Sequence, residues 1–271
     1  MKLHDGHIHT PFCPHGTADN LESYIHTAKE RDAQSLTFTE HAPLPRTFDD
    51  PVPGKDSGMA SEQLHPYLQA VTAAKEKWKN DIEIKVGLEV DYIHGYEAET
   101  KALLDEAGPY LDDAVLSVHF LPLNDRFHCI DFSPESFGEI VKEAGSLQAV
   151  YALYFEQVKQ SIQADLGTYK PDRIGHMTLV RKFQKRFPRD FSDEIWQFEV
   201  LDLVLQYGMS LDINTAGRYK PDCGEMYPPG KTAETAARMG IPLVYGSDAH
   251  ASKQVCAELA ETVSHLQAFE R

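Results

Sequence analysis

Histidines and carboxylates recur where short apolar runs of this chain end. They are His7 and His9 in DGHIHT, His15 in CPHG, His41 in LTFTEH, Glu89 in VGLEV, His119 in LSVHF, His176 in RIGHM, and Asp248 with His250 in YGSDAH. Imidazole and carboxylate are the side chains that hold divalent transition metals. His7 and His9 lie two apart on a run with strand character. Side chains alternate along a strand, so both imidazoles face one side and can share an ion. Asp248 and His250 repeat the device near the other end of the chain. A single such pair is a weak signal. Two pairs, with lone His or Glu residues closing the runs between them, point to one polynuclear metal site and so to a metal-dependent hydrolase. Other histidines have plainer readings. His26, His65 and His265 sit in helical patterns facing solvent, His4 has the opposite strand parity from His7 and His9, and His94 and His128 fall in loops. Cys13, beside His15, reads as an idle buried thiol.

Seven strand-like segments must position these residues. They cover about 2–10, 35–39, 82–90, 114–120, 173–176, 209–213 and 242–245. Helical patterns separate them. The first has Asp19 and Glu22 placed as a capping box. Others run over 61–79, 98–111, 133–167 with a break near Gly145, and 194–206, followed by a short one ending at Gly240 and a last one carrying Val255, Leu259, Val263 and Leu266. Strict β–α alternation implies a parallel sheet covered by helices. Because almost every strand ends in a polar residue, the strand ends should converge, which a closed barrel achieves and an open sheet does not. The expectation is an α/β fold, a seven-stranded β/α barrel formed as a single domain over 1–271. Residues 42–60 carry four prolines and Gly54, and this long loop is placed to act as a lid.

Composition sets bounds on partners. The formal charge of −16 over 271 residues argues against a nucleic-acid-binding surface. It leaves room for a phosphorylated substrate, because bound cations reverse the local potential. Cys13, Cys129, Cys223 and Cys256 form no CxxC pair, as expected of reduced thiols in the cytoplasm. The polar start MKLHDGHIHT predicts no signal peptide, and no run approaches membrane-spanning length.

Taken together, HxH on the first strand, CPHG, TEH, the Glu of VGLEV, SVH, GH and SDAH resemble the polymerase and histidinol phosphatase (PHP) superfamily across essentially the whole chain. SVHFLPL with IDFSPESF, and NTAGRYKPDCGEMYPP before GIPLVYGSDAH, are similar to its histidinol-phosphatase branch, which serves a late step of histidine biosynthesis. The resemblance implies a distorted (β/α)7 barrel and three divalent ions, with zinc, manganese or iron all suited to such ligands. One ion would take His7, His9, Glu89 and Asp248. A second would share Glu89 and add His119 and His176, and the third would take His15, His41 and His250. Where the family commonly has T-D-H this chain has Thr39-Glu40-His41, which leaves the role of Glu40 open.

Such a site would hydrolyse a small phosphomonoester, L-histidinol phosphate, by attack of a metal-bridging hydroxide on phosphorus. Arg181 and Arg218, the latter just after Asn214, are candidate substrate contacts, since guanidinium forks bind phosphate oxygens. Asp248 and His250 are candidates for supplying the leaving group's proton, and a water on the metals is another. Glu40, Asp222 and Glu225 are candidates to meet the substrate's ammonium group. Three other readings compete: a PHP phosphoesterase acting on a nucleotide, sugar phosphate or phosphotyrosine; an amidohydrolase, which would usually need a metal-bridging lysine where this chain has Glu89; and a non-catalytic metal-binding module.

Overall fold

A computed structural model describes residues 3–269. Seven strands form one parallel sheet in the order β1 (His4–Ile8), β2 (Ser35–His41), β3 (Glu83–Asp91), β4 (Asp113–Ser117), β7 (Arg173–Ile174), β8 (Ser210–Asn214) and β9 (Leu243–Gly246). Between β4 and β7 the chain makes a separate antiparallel hairpin, β5 (Phe120–Leu123) with β6 (Arg126–Cys129). The helices are α1 (Leu21–Glu30), α2 (Leu64–Trp78), α3 (Glu97–Ala107), α4 (Pro134–Ala144), α5 (Leu147–Gln163), α6 (Glu194–Gln206), α7 (Gly230–Met239) and α8 (Leu259–Gln267).

The sheet curls until its edges meet. Ile8 bridges Ala249, His9 N–H donates to the Ala249 carbonyl at 3.0 Å, and Asp248 N–H donates to the His7 carbonyl at 2.8 Å. A Cβ on Gly246 would lie 2.7 Å from His7 Cβ and 2.3 Å from Asp212 Oδ1, so only glycine lets β9 approach β1 this closely. The result is the expected distorted (β/α)7 barrel. Its strands are buried on both faces, as in β2, where every residue is buried. That is the pattern of parallel strands covered by helices. Phe38, Val86, Leu116, Ile174, Leu211 and Leu243 belong to one continuous apolar cluster with helix residues such as Tyr24, Val71, Leu104, Val158 and Val204.

Two local expectations are corrected. The fourth strand ends at Ser117 rather than near 120, because the chain turns at His119 and re-pairs as the hairpin, with Ile130 N–H donating to the His119 carbonyl at 3.0 Å. The cap of α1 is Asn20, whose Oδ1 accepts from Ser23 N–H at 2.9 Å. Asp19 instead accepts from the backbone and hydroxyl of Ser252 at 2.9 and 2.8 Å, tying the start of α1 to the 248–254 segment beside the barrel mouth.

Candidate metal centre

Each parallel strand delivers its polar residue to the same end of the barrel. His7 and His9 arrive from β1, His41 from the end of β2, Glu89 from β3, His119 and His176 from just after β4 and β7, and Asp248 and His250 from just after β9. Asp248 has φ +52°, in the left-handed region that Asp tolerates better than most residues. This turn brings Asp248 and His250 into the cluster together, and His250 Nδ1 lies 2.9 Å from the Asp248 carbonyl.

Glu89 lies at the centre, 1% exposed. Its Oε2 is 3.3 Å from His7 Nε2, 3.5 Å from His9 Nε2 and 3.1 Å from His41 Nδ1. Asp248 Oδ1 lies 3.0 Å from His9 Nε2 and 3.9 Å from His7 Nε2. A tetrahedral ion with bonds of about 2.0–2.2 Å spaces its donors by about 3.3–3.6 Å, and these separations straddle that range. Glu89 Oε1 faces the other way, accepting from Ser117 Oγ at 2.6 Å, with His176 Nε2 at 2.9 Å and His119 Nε2 at 3.9 Å.

The donor atoms face one another with too few hydrogens between them. His7 Nε2, His41 Nδ1 and Glu89 Oε2 are buried without a hydrogen-bond partner. Such groups are costly unless something satisfies them, and bound cations would do so. Burial by itself would raise the Glu89 carboxyl, but His7 and His41 beside it hold it well below the usual carboxylate range. Burial likewise opposes a charge on His7, yet Glu89, Asp212 and Asp248 hold its imidazole well above the ordinary value. His41 and His250 are pushed down by burial and by the neighbouring His9.

Outer partners aim the imidazoles. His7 Nδ1 lies 2.9 Å from Asp212 Oδ2, and His119 Nδ1 lies 2.8 Å from Asp91 Oδ1. Both pairs leave Nε2 for the cluster, as carboxylate–histidine pairs do around metals. These two acids were missed in the sequence, although strand period carried a signal: Glu89 and Asp91, and Asp212 and Asn214, are two apart and share a face.

Several expected substrate contacts are corrected. Glu40 is fully buried, with Oε1 3.2 Å from His9 Nδ1 and 3.0 Å from His41 N, and Oε2 2.7 Å from Thr10 N and 2.5 Å from Thr10 Oγ1. It braces His9 and His41 and has no free edge for an ammonium group. Asn214 is also fully buried and donates to Asp212 Oδ2 at 3.3 Å and Asp248 Oδ2 at 3.2 Å, so it steadies Asp248 rather than touching substrate. Arg181 lies 7% exposed between two acids, bidentate to Asp193 at 2.9 and 2.5 Å and 2.8 Å from Glu225, which leaves no fork for phosphate. Glu225 is engaged by the same contact, and Asp222 lies off the cavity wall. Arg218 pairs with Glu258 and sits 3.2 Å from Met226 Sδ, outside the cavity lining.

The cavity over the cluster holds about 410 Å³ and is walled by His15, His41, Glu89, His119, His176, Asp248 and His250. The cations on its wall are Lys182, 2.9 Å from Asp131, and Lys220. Asp56 and Ser57 from the 42–60 loop also line it, and the Asp56 carbonyl lies 3.1 Å from His15 Nδ1. An adjoining hollow of about 700 Å³ shares Asp248 and His250 but has none of His41, Glu89, His119 or His176 on its wall, so the chemistry sits in the smaller one.

Comparison with known proteins agrees with this geometry. The PHP domain family matches residues 5–216. The histidinol-phosphatase of Bacillus subtilis (strain 168) is 46% identical over 94% of this chain and 96% of its own length. The "Probable histidinol-phosphatase" of Deinococcus radiodurans is 34% identical over 98% and 93%. The crystal structure of hisK from Listeria monocytogenes superposes with a TM-score of 0.91 at 42% identity, covering 95% of this chain and 99% of that one. With its barrel, its eight converging histidines and carboxylates and this match, the chain belongs to the PHP domain family.

Proposed function

We propose that the protein is a histidinol-phosphatase, a metal-dependent phosphomonoesterase that converts L-histidinol phosphate to L-histidinol and phosphate. The observation that carries the metal chemistry is the set of unpaired donors converging on Glu89. The substrate is supported by near full-length likeness to histidinol-phosphatases.

His7, His9, Glu89 and Asp248 would hold one ion, Glu89, His119 and His176 a second, and His41 and His250, with His15 at the rim, a third. When bound, the ions supply positive charge to the phosphate oxygens and acidify the attacking water; zinc, manganese and iron all suit these donors. The chain's own residues do the rest. Glu89 spans two positions with its two oxygens. Lys220 and Lys182 draw the phosphate to the cavity wall, a task sequence reasoning gave to Arg181 and Arg218. Asp248, held by His9 and Asn214, faces the cavity and, with His250 beside it, is assigned to relay the proton lost by the attacking water to the leaving alcohol. Asp56, a carboxylate of the 42–60 loop on the cavity wall, is assigned to the ammonium group of the substrate. Such a biosynthetic enzyme suits a reducing cytoplasm, and the four cysteines are unpaired. Among the described residues no helix is long and apolar enough to cross a membrane.

Steady-state phosphate release from histidinol phosphate, p-nitrophenyl phosphate and a nucleotide monophosphate tests this reading. The expected result is a preference for histidinol phosphate of about a hundredfold or more in kcat/KM, roughly 2.7 kcal/mol of transition-state binding. Equal, feeble rates on all three would keep the metal site and remove the substrate assignment.

A further inference from the structure

Among the histidines on the cavity wall, His15 is the exposed one, so packing does not fix its ring. It still lies over the cluster, with its ring centre 5.1 Å from that of His41 and 5.2 Å from that of His250. Its hydrogen bond runs from Nδ1–H to the Asp56 carbonyl at 3.1 Å. A carbonyl only accepts, so Nδ1 carries the proton and Nε2 keeps its lone pair for an ion. His7 and His119 take the same aim from Asp212 and Asp91 on the barrel strands. His15 takes it from the 42–60 loop.

A carbonyl can aim a ligand only if its own peptide group is held, and Asp50 holds this one. Asp50 is 7% exposed and sits inside the turn formed by residues 50–57. Its Oδ1 accepts from Val52 N–H at 2.9 Å and from the Ser57 hydroxyl at 3.0 Å, and its Oδ2 accepts from Ser57 N–H at 3.0 Å. The Asp56 carbonyl and the Ser57 N–H belong to one planar peptide group. A chain of hydrogen bonds therefore runs from His15 through that peptide to the Asp50 carboxyl, and each bond polarises the next. The turn is tied on both sides. Before it, the Phe48 ring centre lies 4.9 Å from that of Phe120 and 5.1 Å from that of Phe127 on the β5–β6 hairpin. After it, Met59 N–H donates to the His41 carbonyl at 3.3 Å.

We infer that Asp50 is a positioning residue of the metal centre, holding the 56–57 peptide so that its carbonyl aims His15 at the third ion. The inference rests on the metal site proposed above. It makes the 42–60 loop part of that site, because without Asp50 the peptide is free to turn and His15 loses its fixed tautomer and direction.

The test is zinc binding to the full chain, stripped of metal and titrated against a chromophoric chelator. The wild type should take up three equivalents. Asp50→Ala should hold one of them about 10–100-fold more weakly and leave the other two unchanged. Asp50→Asn keeps an oxygen for Val52 N–H but sets an amide against Ser57 N–H, and should weaken the same equivalent with the loop still packed. His15→Gln should weaken that equivalent too, and adding Asp50→Ala to it should change nothing further, since Asp50 acts through His15. Asp49→Ala takes an equal charge from the same loop, where the Asp49 side chain is 92% exposed, and should bind zinc as the wild type does. Wild-type affinity in both Asp50 variants, or a loss that adds in full to that of His15→Gln, overturns the positioning role and leaves the phosphatase reading standing. A wild-type chain that binds no zinc overturns both.

Discussion

The two ends of the barrel use the same residue types to opposite effect. At the end where the strands begin, His4, Ser35, Thr37, Asp113 and Arg173 form a hydrogen-bonded network. Thr37 Oγ1 donates to Asp113 Oδ2 at 3.0 Å, so it accepts from His4 Nε2 at 3.2 Å, and His4 Nδ1 accepts from Ser35 Oγ at 2.8 Å. Arg173, 1% exposed, donates to the Gly6 carbonyl and to Asp113 Oδ2, both at 2.9 Å. Burial, then Arg173 and Lys85, lower the His4 pKa to about 4, so the imidazole is neutral. At the mouth, His7, His41 and Glu89 present lone pairs or N–H groups to one another with nothing between them. One end is satisfied largely by its own hydrogens, with Arg173 Nε left unpartnered, and serves stability. The other is left open for cations, and such unsatisfied groups in a folded chain mark function.

Substitutions at the two ends should therefore separate. The largest effect is expected from Glu89→Gln, which places an amide where both carboxylate oxygens face imidazoles. kcat/KM should fall a thousandfold or more, about 4 kcal/mol, with loss of metal by elemental analysis but little change in thermal unfolding of the metal-free protein. A variant that keeps its metals and its rate would end the bridging role. Arg173→Leu leaves the Asp113 carboxylate without its cation and should cost about 3 kcal/mol in urea unfolding, while metal content and turnover hold at 25 °C. If metal content fell with it, the two ends would not be separable.

Asp212→Asn sharpens the distinction within the mouth. It takes the negative charge from the acceptor that aims His7, and metal affinity should drop about 10–100-fold in a chelator competition with the fold intact; unchanged affinity would make Asp212 a packing residue. The smallest effect is expected at His4. Its folded pKa lies below the unfolded value, so the unfolded chain binds the extra proton. Stability from this residue is present above about pH 6.5 and is lost as pH falls toward 4. Allowing for its partial exposure, the loss is about 1–2 kcal/mol. It should show as a difference in urea midpoints between wild type and His4→Gln, near constant above pH 7 and shrinking below 6. A pH-independent difference would contradict a neutral His4.

Much of this protein could be read from strand periodicity. Period two put His7 with His9 and separated His4 from both. Polar residues at the ends of apolar runs implied that the strands converge, and strict β–α alternation implied a covered parallel sheet. The β5–β6 hairpin was not legible, because Phe120–Leu123 continues the apolar run of β4 and only the turn at His119 divides them. The α1 cap shifted by one residue because Asp19 found a partner 233 positions away in Ser252. Ligand type and spacing are local properties, so the sequence by itself determined that histidines and carboxylates would gather at one end of a parallel barrel. Which carboxylates sit at the centre of the histidine cluster and which brace it from outside, as with Glu89 against Glu40, and where the cations Arg181 and Lys182 point, depend on partners far apart in the chain. Those partnerships exist only once the barrel has closed, and only the tertiary structure decided them.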